Sequence, residues 1–93
     1  MLAIFIKMGN AKLAVGDISA ARLLFTRAAQ GGSAEAATEL GKTYDPAYLA
    51  QIGAAGIQPD PDIAADWYRT AAAMGDAEAA ARLRQLGVAT AGK

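Results

Sequence analysis

The sequence repeats itself. A shift of 43 residues carries Ala28-Ala29 onto Ala71-Ala72, Gly32 onto Gly75, Ala34-Glu35-Ala36-Ala37 onto Ala77-Glu78-Ala79-Ala80, and Leu40 onto Leu83. The same shift sets Asp17 on Asp60 and Ala21 on Ala64. Phe25 then meets Tyr68, Leu24 meets Trp67 and Ser33 meets Asp76, so chemistry is kept where identity is lost. In a chain of 93 residues, a unit this short cannot enclose a core by itself. Each copy has to bury one face on its neighbour, which restricts the chain to stacked repeats.

Each repeat reads as helix, turn, helix. The first helix runs from about Leu2 to Val15 and breaks at Gly16-Asp17. Ile18, Ala21, Leu24, Phe25 and Ala28 recur at helical spacing and predict a second helix over 18–30, with Asp17 as its N-cap. Gly31-Gly32 ends it, and Ser33 caps a third helix from Ala34 to about Tyr44. Asp60-Pro61-Asp62 is a strong helix start, predicting a fourth helix from Pro61 to about Met74. Gly75 stops it, and Asp76 caps a fifth helix that fades near Leu86-Gly87. Between them, residues 45–60 carry Gly53, Gly56 and Pro59 and read as a long loop, with a short helical turn around 47–51. The expected organisation is one helical domain over 1–87: a first pair (1–32), a second pair with its loop (33–75) and a capping helix (76–87). Residues 88–93 are expected to form a flexible tail.

Composition fits this reading and removes several functions. Half of the apolar residues are alanine, which favours helices and lets their axes approach closely. Nine basic and nine acidic residues cancel, so nothing draws the chain as a whole to nucleic acid or anionic lipid. Cys and His are absent, which excludes disulfides, thiolate nucleophiles, the usual zinc sites and imidazole catalysis. The apolar run Leu2–Ile6 is too short for a signal peptide or a membrane span. A cytoplasmic protein, or a piece of a longer one, is the expectation.

The recurring residues form a pattern. Ala28-Ala29, Gly32, Ala36, Leu40-Gly41 and Tyr44 read A-A-x-x-G-x-x-x-A-x-x-x-L-G-x-x-Y. Gly56-Ile57, Asp60, Ala64, Trp67-Tyr68, Ala71-Ala72, Gly75, Ala79 and Leu83 continue it. From about Gly9 to Leu83 the chain resembles the SEL-like repeat, a subfamily of the tetratricopeptide-like helical repeats. Phe5, Met8, Gly9, Ala21, Phe25 and Ala28 are similar to the core positions of a plain tetratricopeptide repeat. Lys12 stands where that motif usually has an aromatic, Arg84 and Gly87 depart from it in the last helix, and the segment after Tyr44 is longer than the family's norm. The resemblance implies an all-α, right-handed α-α superhelix of about five antiparallel helices. It further implies a protein-interaction module or scaffold that is not an enzyme and holds no cofactor.

The chemistry of individual residues gives little ground for more. Asp60, Asp62 and Asp66 lack the glycine and final glutamate of a calcium loop, and serve better as cap and dipole partners. Glu35 and Glu39 share one helix face with no cleft to raise a pKa, so a solvated face outweighs paired-carboxylate catalysis. Gly31-Gly32-Ser33 lacks the Lys-Ser/Thr and preceding strand of a phosphate loop. Trp67 and Tyr68 fall on core positions and do not support base stacking.

In folds of the resembled kind, the first helix of each pair lines a concave groove. The positions this implies are Ile6, Asn10 and Leu13, then Thr38 and Lys42, then Arg82 and Gln85. Asn10 stands where a carboxylate-clamp domain places an Asn, but Ile6 and Glu78 replace the accompanying lysines. A peptide or helix is therefore expected in the groove rather than an acidic chain terminus. The alternative is a purely structural set of terminal repeats from a longer solenoid. The first helix is apolar almost all round, which predicts a homodimer through Leu2, Ile4 and Ile6. No nucleic-acid or membrane partner is expected.

Overall fold

Side-chain caps open five of the six helices in the computed structural model, which describes residues 2–54 and 56–87. The helices are α1 (Leu2–Ala14), α2 (Ile18–Gln30), α3 (Ala34–Lys42), α4 (Pro46–Gln51), α5 (Pro61–Ala73) and α6 (Ala77–Leu86). No strand occurs among the described residues. Asp17, Ser33, Asp60 and Asp76 accept from the backbone N–H groups of Ala20, Ala36, Ile63 and Ala79 at 3.0–3.1 Å. Each such cap satisfies an amide that the helix itself cannot pair, worth roughly 1 kcal/mol. The tight reversals after α2 and α5 need Gly32 and Gly75, which sit at φ of 102° and 99°.

The short helical turn expected around 47–51 forms as α4, so the described residues hold six helices where about five were expected. Asp45 caps it by accepting from the Ala47 amide at 2.9 Å, and Pro46 occupies its first turn. Leu49 is buried and ties the helix down. Helix α3 also stops two residues early, at Lys42, because Tyr44 and Asp45 donate back to Gly41 and Lys42 in tight turns before Pro46. The expected flexible tail, 88–93, lies outside the described residues.

The main packing follows chain order: α1 on α2, α2 on α3, α3 on α5, and α5 on α6. Two buried clusters result. Ile6, Ala21, Phe25, Ala28, Ala36 and Leu40 form one, and Ala37, Ala64, Tyr68, Ala71 and Ala79 the other. Trp67 is half-buried and packs against both. Each cluster is organised by one ring set against one glycine. A Cβ on Gly9 would lie 2.5 Å from Phe25 Cε1, and a Cβ on Gly41 would lie 2.7 Å from Tyr68 Cδ1. The molecule measures 37 × 30 × 16 Å, and its short dimension suits two layers of helices with axes ~8–10 Å apart.

Candidate functional site

The segment that returns the chain from α3 to α5 is held at both ends. The Asp60 amide donates to the Tyr44 carbonyl at 2.8 Å, closing its base. Arg22 on α2 donates through Nη2 to the Thr43 carbonyl at 2.6 Å and to the Gln58 carbonyl at 3.5 Å. Its Nε reaches Thr43 Oγ1 at 3.3 Å, and the guanidinium lies 3.8 Å from the centre of the Tyr44 ring. Inside the protein, the Tyr68 hydroxyl donates to Asp45 Oδ2 at 2.8 Å. Burial first, then this hydrogen bond and the Asp45 charge, push the Tyr68 phenol well above its ordinary pKa. Asp45 thereby joins α5 to the start of α4 with one carboxylate.

Anchored in this way, α4 brings Tyr48 to the groove positions. The Tyr48 ring centre is 5.1 Å from Lys42 Nζ and 5.7 Å from the Arg82 guanidinium. Both cations already have carboxylates. Lys42 Nζ lies 3.2 Å from Glu39 Oε2 and 3.4 Å from Glu78 Oε2, while Arg82 Nε donates to Glu78 Oε2 at 2.9 Å. The hydrogen bond from Arg82, outweighing burial and aided by the Lys42 charge, holds the Glu78 carboxyl below its ordinary pKa. Lys42 and Arg82 are thus brought together, as neighbours in a balanced network. Glu39, expected on an exposed face, is instead half-buried and part of it.

Two cavities lie along α1, and Asn10 lines both. The larger, about 540 Å³, is lined on one side by Asn10, Leu13 and the Gly16–Ile18 turn, and on the other by Tyr48, Ile52 and the residues that follow. The smaller, about 290 Å³, is lined by Ala3, Ile6, Lys7, Asn10 and Glu35. Of the expected groove positions, Asn10 lines both cavities and Leu13 the larger. Gln85 is exposed on α6.

One groove position, Thr38, is corrected, and a second, Ile6, is mostly buried. Thr38 is 1% exposed, because α3 is embedded between α2 and α5, and its hydroxyl donates to the Ala34 carbonyl at 3.2 Å. Ile6 is 8% exposed and belongs mainly to the Phe25 cluster, although it also lines the smaller cavity. The same burial removes Ile6 from the expected self-association surface. Leu2 is half-buried against that cluster. Ile4 stays outward at 56% exposed. Tyr48 and Ile52 are the groove residues that the sequence pattern missed. Their signal is that Tyr48, Leu49, Ile52 and Ile57 are large apolar side chains inside a segment otherwise made of Ala, Gly, Pro and Gln.

Among the described residues, no group of three or more metal-type side chains is assembled, and no helix is long and apolar enough to cross a membrane. The Asp60 side chain is spent on its cap, and Asp66 pairs with Arg69 at 2.8 Å. Comparison with protein-family models, with curated proteins and with solved structures finds no match.

Proposed function

We propose that this chain is a protein-interaction module, built as tetratricopeptide-like, SEL-like helical pairs in an α-α superhelical stack, that receives a peptide or helix of a protein partner along α1. It works by binding and not by catalysis. The observation that carries the reading is the pair of cavities that share Asn10 as a wall and together follow α1 and the turn after it, from Ala3 to Gly16. That length, ~20 Å at 1.5 Å per residue, suits a short extended segment or a few turns of helix. The glycine–ring seats at Gly9–Phe25 and Gly41–Tyr68 support the repeat architecture, since the same close approach recurs in both pairs. The pairing of Lys42 and Arg82 with Glu39 and Glu78 speaks against an acidic chain terminus as ligand.

The test is site-specific photo-cross-linking in the source cell. A photoreactive residue at Asn10 should capture a discrete protein partner, while one at Thr70, exposed on α5, should not. Identical products from both positions, or none from Asn10, would overturn the reading.

A further inference from the structure

The two ring seats put α1 in register with α3. Gly9 meets Phe25 as Gly41 meets Tyr68, so Ile4, Met8 and Ala11 correspond to Ala36, Leu40 and Thr43. In α3 those three positions face α2. Ala36 and Leu40 are buried with Ala21, Phe25 and Ala28, and Thr43 accepts hydrogen bonds from Arg22. The 43-residue repeat carries the same positions onto Ala79, Leu83 and Leu86 of α6, which pack with Ala64, Tyr68 and Ala71 of α5. Both covering helices present one ring between two alanines, spaced Ala-x-x-x-Phe/Tyr-x-x-Ala. On α1 the corresponding side chains are apolar but uncovered: Ile4 is 56% and Met8 45% exposed, with Ala11 exposed beside them. None of the three lines either cavity, so this face is separate from the groove and does not depend on that reading.

We propose that this face of α1 docks one helix of a partner protein, with an Ala-x-x-x-Phe/Tyr-x-x-Ala stripe flanked by carboxylates, in the way that α2 covers α3 and α5 covers α6. The molecule itself shows twice what covers these positions. Ile4 is bulkier than Ala36, and the alanines of the visiting helix give it room. The carboxylates follow from charge: at 100° per residue Lys7 and Lys12 stand on either side of the Ile4–Met8–Ala11 line, both exposed, and α1 contains no acidic residue. A second copy fits this face less well. Its ring-bearing helices are already held, α2 between α1 and α3, and α5 between α3 and α6. It could bring only its own α1, lysines against lysines, a repulsion that added salt relieves.

Two blocked peptides of residues 60–74, stapled into helices between the exposed positions 63 and 70, serve as probes. Positions 67 and 72 flank the Ala64–Tyr68–Ala71 stripe. The acidic peptide carries Trp67→Glu and Ala72→Glu, and the lysine-bearing peptide Trp67→Lys and Ala72→Lys. Each is titrated into the isotope-labelled protein at low ionic strength and followed by amide chemical shifts. The acidic peptide should give saturable shifts at Ile4, Met8 and Ala11. The lysine-bearing peptide should bind about tenfold more weakly, and added salt should narrow the gap. In the protein variant Met8→Glu, an exposed position, the titration should vanish while the core signals of Phe25 and Ala28 stay in place. Adding Tyr68→Glu to the acidic peptide should abolish binding as well. Absence of saturable shifts, shifts centred on Asn10 and Ile52, equal binding of the two peptides, or an unchanged titration in Met8→Glu would each overturn the proposal. So would a protein already dimeric at low salt that the acidic peptide does not separate, since the occupant would then be a second copy.

Discussion

Gly41 and Tyr68 show how little room the packing leaves. A methyl on Gly41 would meet the Tyr68 ring at 2.7 Å and the Ala64 carbonyl at 3.3 Å. The ring is fully buried and the carbonyl belongs to a helix, so neither yields easily. Gly41→Ala should therefore destabilise by about 1–3 kcal/mol despite the better helix propensity of alanine, as chemical denaturation would measure. Tyr68→Phe tests the polar end of the same ring. It leaves Asp45 short of one donor and should cost about 1–3 kcal/mol near neutrality. The pH dependence runs the other way. The folded-state pKa of Tyr68 is raised, so its contribution is intact below the ordinary value of 10.0 and is lost as the pH climbs above it, when the unfolded chain ionises and the folded one does not. The variant should lose less stability above pH 10 than the parent, and denaturation series at pH 9 and pH 11 would show the gap between them narrowing. Gly41 and Tyr68 were legible as members of the repeat pattern. Their contact was not, because nothing in sequence spacing says which ring seats on which glycine.

Capping made the long helices legible. Asp17, Ser33, Asp60 and Asp76 act within three residues of themselves, so the signal is local and survives in the sequence. Helix α4 is different. Six residues span less than two turns, too few for a periodicity, and what fixes them is tertiary: Leu49 buried, Asp45 bonded to Tyr68, and Arg22 clamped on Thr43 and Gln58. Thr38 was misplaced for a related reason. Its helix is covered on two sides, and that depends on how α2 and α5 cross it rather than on α3 itself. The two kinds of cap should accordingly differ in weight. Asp60→Ala removes one cap and should cost about 0.5–2 kcal/mol. Asp45→Ala removes a cap and also takes away the acceptor of the buried Tyr68 hydroxyl, adding about 1–3 kcal/mol. Thermal melts of the two variants should separate by several degrees in that order.

The whole molecule is thin, and its radius of gyration, 12.3 Å, matches the ~12 Å expected of a globule of this length. So flat a body leaves some apolar surface outside. Ile4, Met8 and Ala11 on α1 and Val15 in the turn just after it follow one another at four-, three- and four-residue steps, and all are exposed, Val15 at 77%. Lys7 and Lys12 flank this stripe, and α1 contains no acidic residue to answer them. A dimer made by pairing two such stripes brings lysines close to lysines, so its association should strengthen as salt screens them. Light scattering at low and high ionic strength, on the parent and on an Ile4→Glu, Met8→Lys double variant, checks this. The expected result is a salt-promoted dimer in the parent alone. The spacing of the two ring seats carries a different consequence. Gly9 and Gly41 are 32 residues apart, whereas Phe25 and Tyr68 are 43 apart, yet each ring meets its glycine in the same way. The extra length is absorbed by the segment closed between Tyr44 and Asp60, and the stack does not register it. For protein engineering, that segment is a socket: with Arg22, Thr43, Asp45 and Asp60 kept, the chain between Asp45 and Asp60 is the place to exchange one closed loop for another while the two ring seats stay as they are.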